Sequence, residues 1–75
     1  MGELELKINA RGLSNPGPRM MVKSAIEGHE RNRFRVVVDS AEALEDLESY
    51  FESIGATVEV DQIGEEFHIL VSVGR

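Results

Sequence analysis

The 75-residue chain has no cysteine and no tryptophan, and it has only two prolines, three phenylalanines and one tyrosine. Without cysteine there is no disulfide framework, no thiolate zinc site, and no thiol or persulfide chemistry carried by the chain itself. A fold without such staples is stabilised by burial alone, and a chain this short buries only about 60% of its unfolded surface. That favours one compact layered domain over residues 1–75. No apolar run approaches the roughly 18 residues of a membrane span. No basic segment followed by an apolar stretch opens the chain, so the expectation is a cytoplasmic protein with no membrane contact.

Positive charge is also in short supply. Eight Lys and Arg stand against fourteen Asp and Glu, for a net charge of −6 and a pI near 4.8. A dominant nucleic-acid role is therefore not expected, because phosphate binding needs a basic surface. The shortage is uneven. Residues 1–35 hold seven bases and four acids, whereas residues 36–75 hold ten acids and Arg75 as the one base. The whole-chain value conceals a basic end that could meet an anionic ligand or an acidic partner.

What is present is patterned. Residues Glu3 to Asn9 alternate, with Leu4, Leu6 and Ile8 on one face, which is the period of a half-buried strand. A loop with Gly12 follows. Asn15 before Pro16 reads as an N-cap ahead of a proline-started helix. Met21, Val22, Ala25 and Ile26 are its apolar face and Gly28 its stop. Arg33 to Asp39 is a second strand, with Phe34, Val36 and Val38 inward. A second helix opens at Asp39 or Ser40, and a capping box with Glu42 forms if Asp39 is the cap. Leu44, Leu47, Phe51 and Ile54 line its apolar stripe and Gly55 ends it. Thr57 to Asp61 is a short strand, Ile63 to Glu66 a turn through Gly64, and Phe67, Ile69, Val71 and Val73 the inward face of a last strand.

The order βαβαββ, with one apolar face per strand, predicts an α+β two-layer sandwich. In it, two helices cover one face of a mixed four-stranded sheet, with a final antiparallel hairpin. The other face, carrying Glu5, Lys7, Arg35, Val37, Glu59, His68 and Leu70, is expected to stay wet.

The stretch that could carry chemistry runs Arg11-Gly12-Leu13-Ser14-Asn15-Pro16-Gly17-Pro18-Arg19-Met20-Met21-Val22-Lys23. Unpaired amides at a helix start favour negative charge. Pro16 and Pro18 lack N–H groups, which leaves the first-turn donors of Gly17 and Arg19. Arg11, Arg19 and Lys23 add positive charge nearby. A thiol at position 15 would have a lowered pKa there; Asn15 is a good cap and a poor nucleophile.

The run from Asn9 to Ile26 resembles the signature of the TusA/SirA sulfur-carrier family. That signature is a polar residue, Arg-Gly, a hydrophobic residue, any residue, Cys-Pro-x-Pro, and a helix of the Met-Met-Val-Lys type. The resemblance implies a βαβαββ sandwich of about this length. It also implies a cysteine that accepts a persulfide from a cysteine desulfurase and passes the sulfur to relay partners. Arg11 and Gly12 match the Arg-Gly pair, and Pro16 and Pro18 match the two prolines. Asn15 stands where the family has its cysteine, so no catalytic residue is assigned.

Three accounts remain open at this stage. The chain is a cysteine-less relative that binds or regulates a protein partner. Or it is a sulfur carrier whose cysteine has been replaced deliberately. Or it is a module that holds RNA or a small anion. The candidate partner- or anion-binding surface comprises Arg11, Gly12, Asn15, Pro16, Gly17, Pro18, Arg19, Met20 and Lys23. Met21 is assigned to the core.

Other groups are weaker candidates. His29 and His68 are the two imidazoles, both expected to be solvated and not at ligand spacing, so neither a metal nor a cofactor is expected. Arg31, Arg33 and Arg35 flank Phe34, but alternation turns Phe34 inward and leaves no stacking platform for RNA. Val37 and Leu70 could seed a small contact, giving a monomer or weak dimer.

Overall fold

The computed structural model describes residues 6–28 and 33–73. The expectations at Glu3 to Glu5 and at His29 and Arg31 lie outside the described residues. The elements are β1 (Leu6–Asn9), α1 (Gly17–Gly28), β2 (Arg33–Val38), α2 (Ala41–Ser53), β3 (Thr57–Ile63) and β4 (Glu66–Ser72). They form the expected α+β arrangement, with the strands in the order β1-β2-β4-β3. β1 and β2 are parallel, and β4 runs antiparallel to both β2 and β3. The last strand in the chain is thus an inner strand of the sheet.

Strand alternation sorts the side chains into two faces. Leu6, Phe34, Val71 and Val58 lie in one cross-sheet row and Ile8, Val36, Ile69 and Val60 in the next. Those rows meet Val22 of α1 and Ala43, Leu47 and Phe51 of α2, which are almost fully buried. Pro18 is buried as well, at the start of α1. Among the described residues the buried set contains no polar or charged residue. A core of this kind is non-directional apolar packing, with nothing inside that needs a hydrogen-bond partner.

The ends of α2 follow from local chemistry. Ser40 is the N-cap: its side chain accepts from the Ala43 N–H at 3.1 Å. The capping box proposed for Asp39 and Glu42 is not formed, because Asp39 has another partner, described below. At the other end the Gly55 N–H donates to Glu52 O and the Ala56 N–H to Phe51 O. Gly55 has φ +76°, so the pair of bonds closes a Schellman motif that requires a left-handed residue. Ile54, placed on the buried stripe by its spacing, is the C-cap and is exposed.

Two further expectations are corrected. β3 extends to Ile63, which pairs with Glu66, leaving a two-residue turn at Gly64 and Glu65. Gly64 has φ +62° and Glu65 does not have positive φ, the pattern that a type II′ hairpin turn demands. Met21, assigned to the core from its spacing, is 40% exposed. On a twelve-residue helix the buried stripe narrows to Pro18 and Val22, with Ala25 and Ile26 half-buried, and Met21 falls at its margin.

Phe51 lies at the centre of the layer between α2 and the sheet. Phe51→Ala is expected to cost about 3–5 kcal/mol. In a domain whose total stability is of the order of 5–15 kcal/mol, that moves the urea midpoint far toward zero. A shift of less than a third of the wild-type midpoint would show that this layer is not the main source of stability.

Candidate functional site

The loop between β1 and α1 turns sharply twice. Gly12 has φ +78°, a left-handed conformation that favours glycine, and its N–H donates to both carboxylate oxygens of Asp39 at 3.1 and 3.3 Å. A second turn is closed by the Gly17 N–H on Ser14 O at 2.7 Å, with a cis Asn15–Pro16 peptide inside it. The first α-helical bond runs from the Met20 N–H to Pro16 O at 3.0 Å. Asn15 is therefore not the N-cap; the cap position falls on Pro16, one residue later. The Asn15 side chain instead turns toward α2, where its Nδ2 approaches Glu42 O at 3.5 Å, a long contact.

The candidate residues divide by where they point. Arg11, Gly12, Asn15, Pro16, Arg19, Met20 and Lys23 are exposed, Gly17 is half-buried, and Pro18 is buried and presents no surface. Gly17 is tightly placed, since a Cβ there would come within 3.2 Å of Leu13 Cβ. Leu13, Met20 and Met21 are 39%, 63% and 40% exposed, so the loop and the first turns of α1 display apolar side chains. Such a fringe suits contact with another surface.

Two bases of this region, Arg11 and Arg19, are tied down. Arg19 Nε and Nη2 form a two-point pair with the Asp46 carboxylate on α2. The hydrogen bond and the charge of Arg19 hold the Asp46 carboxyl below the usual range, and Asp46 in turn raises the Arg19 guanidinium further. Arg11 Nη1 bonds Glu66 Oε2 at the start of β4, while its Nε and backbone N–H both donate to Asn9 Oδ1. Glu66 Oε1 lies 3.2 Å from His68 Nε2. Glu66 is held below the ordinary carboxylate range, first by its bond to Arg11 and then by His68. Of the two first-turn amides counted as anion donors, that of Gly17 is already spent on Ser14.

Asp39 was read from the sequence as a possible helix cap, and neither it nor Asn9, Asp46 and Glu66 was placed on the candidate surface, yet each secures a residue that was. The bonds from Gly12, Asn15 and Arg19 all reach residues 27 positions further on. β1–α1 and β2–α2 run side by side, so equivalent points of the two units are neighbours. Of these three bonds only Arg19–Asp46 joins a base to an acid, and Arg11 reaches Glu66 at a different separation, so the offset left no charge pattern to read in the sequence.

Two expected outcomes follow. Asp39→Ala removes the acceptor of the Gly12 N–H; hydrogen exchange at that amide should accelerate, with a stability loss of about 1 kcal/mol for an exposed bond. Unchanged exchange would mean that Asp39 does not hold the loop. Asp46 and Glu66 have lowered folded-state pKa values. Their contribution is therefore complete above the unfolded carboxylate range and is lost as pH falls through the folded value. In carboxyl-resolved NMR titrations, Arg11→Gln should raise the Glu66 midpoint and leave Asp46 alone. Movement of both, or of neither, would contradict the pairing. Since all four groups are partly exposed, the effect on stability is small.

Among the described residues no group of His, Asp and Glu is arranged to hold a metal ion. Among the same residues no helix is long and apolar enough to cross a membrane. A search of curated proteins finds no match. Among solved structures, the fold is similar to that of a SirA-like protein from Desulfitobacterium hafniense. The TM-score is 0.81 at 20% identity, with 93% of this chain and 99% of the other covered. The family model described as Sulfurtransferase TusA matches residues 6–73, which includes both strands of the hairpin and the whole of the loop just described. The chain belongs to the TusA sulfurtransferase family.

Proposed function

We propose that this chain is a docking or regulatory component of sulfur relay that binds a protein partner and carries no sulfur itself. One observation carries the reading: Asn15 is exposed on the loop at the position of the family cysteine, in a chain with no cysteine anywhere. Family membership relates the chain to sulfur relay and to the protein partners that relay involves. An amide cannot form the S–S bond by which a persulfide is passed on. The surface offered to a partner comprises Arg11, Gly12, Asn15, Gly17 and Arg19 with the exposed Met20 and Lys23, flanked by Leu13. A cysteine desulfurase or another relay protein is the partner that the family suggests.

A second reading is that of a sulfur carrier whose cysteine has been replaced. It is favoured by the exposure of Asn15, which allows a thiol there without repacking the core. The RNA reading has less support, since Phe34 is 2% exposed and offers no base a stacking surface.

Incubation of the chain and of Asn15→Cys with a cysteine desulfurase and ³⁵S-cysteine tests these readings. The proposed docking role predicts that both bind the desulfurase with similar affinity and that only Asn15→Cys becomes labelled. Failure of both to bind or label would remove the desulfurase as partner. Salt-dependent binding to tRNA by the unaltered chain would favour the RNA reading instead.

A further inference from the structure

The face of the sheet away from the helices does not stay wholly wet. Val37 lies on it and is only 2% exposed. It forms the floor of a pocket of about 60 Å³ lined by Lys7, Asn9, Arg11, Val37, Glu66 and His68. A water needs about 10–15 Å³ by the same kind of measure, so the space takes a group of about four or five heavy atoms. The residues converge because β1, β2 and β4 are adjacent: Asn9 pairs with Val37 and Val37 with His68. His68, expected to be solvated, is half-buried there, its side chain 16% exposed.

The side-chain oxygens of the lining are engaged within it, whereas Lys7 and Arg11 bring further N–H donors. Glu66 accepts from Arg11 at one oxygen and meets His68 Nε2 at the other. Asn9 Oδ1 accepts twice from Arg11, which fixes the amide so that its NH₂ is the group left over. Lys7 brings three N–H donors and Arg11 a further NH₂. Lys7 and Arg11 outweigh Glu66 by one positive charge. The next carboxylate along the row, Asp61, pairs in register with His68 on β3 and does not line the pocket. His68 Nδ1 is buried without a hydrogen-bond partner among the described residues, so the cluster is not closed on itself.

We infer that this pocket binds one small anionic group, a carboxylate or an inorganic oxyanion, between Lys7, Asn9 and Arg11. The site is separate from the helix start and does not depend on the docking role. It touches that role through Arg11: an anion shares the guanidinium that Glu66 now holds, two residues from Asn9 and next to the left-handed Gly12.

The test is a titration of the ¹⁵N-labelled chain with sodium acetate, sulfate and inorganic phosphate. Ionic strength is held constant with chloride, and spectra are read at backbone amides, the Asn9 side-chain amide and Arg11 Nε. Saturable shifts centred on Lys7, Asn9, Arg11, Val37 and His68 are expected. Saturation by acetate alone identifies a carboxylate site, and saturation by phosphate or sulfate an oxyanion site. Lys7→Gln should weaken the response about tenfold, the scale of one charge-assisted hydrogen bond, whereas Lys23→Gln should not. Linear shifts that chloride reproduces, an unaltered response in a folded Lys7→Gln, or shifts centred on Gly17 and Arg19 would each overturn the proposal.

Discussion

The structure depends on one dry layer, the apolar face of four strands pressed against one side of two short helices. No disulfide or metal-binding cluster supplements it among the described residues, and nothing polar is buried within it. Leu47 and Phe51 of α2, Val22 of α1 and the inward residues of β2 and β4 therefore stabilise the fold by burial alone. The layer also sets the position of everything polar. Once α1 and α2 lie side by side on the sheet, their N-terminal ends are adjacent, and the loop before α1 has nowhere to settle but against β2, α2 and β4.

That placement changes the meaning of the charge asymmetry. The basic first part and acidic second part of the chain are not two faces awaiting two partners. Arg11 meets Glu66 and Arg19 meets Asp46, while the Gly12 amide meets Asp39. Much of the loop's positive charge is thereby answered within the molecule. What the loop still offers outward is of another kind: a side-chain amide where a thiol would stand, and a fringe of leucine and methionine. A surface of that character fits association with a protein better than capture of a polyanion. The pocket on the opposite face of the sheet is the contrasting case, because there the side-chain oxygens of Glu66 and Asn9 are engaged and a lysine remains.

The fold was legible because period and punctuation agreed. Alternation marked β1, β2 and β4, 3.6-residue spacing marked α2, and Gly55 and Gly64 stood where a left-handed residue was required. What was not legible was contact between residues far apart in sequence. Whether Ser40 or Asp39 capped α2 depended on Gly12 drawing Asp39 away. Asn15 looked like a cap because asparagine commonly is one, but the chain turns again before the helix starts. Met21 and Ile54 were misplaced because spacing locates a stripe and not its edge, and on helices of 12 and 13 residues the edge is much of the surface. Val37 was assigned to a wet face since alternation says which side a residue takes, and not that Arg11, Glu66 and His68 gather around it. The Arg-Gly-Leu-Ser-Asn-Pro-Gly-Pro run was marked as a candidate surface by resemblance, while nothing in the sequence tied Asp46 or Glu66 to it.

The inner position of β4 has a consequence for how the chain is born. Synthesis delivers β1, α1, β2, α2 and β3 in turn, yet β2 and β3 never touch as neighbours; the strand that joins them comes after both. A nascent chain paused before Glu66 holds two unzipped edges and an uncovered apolar helix face, a state that chaperones recognise and that is prone to aggregate. The same strand brings Glu66 and His68. The loop's arginine thus acquires its partner only as the sheet closes, and the polar work on the surface is completed in the same step as the fold.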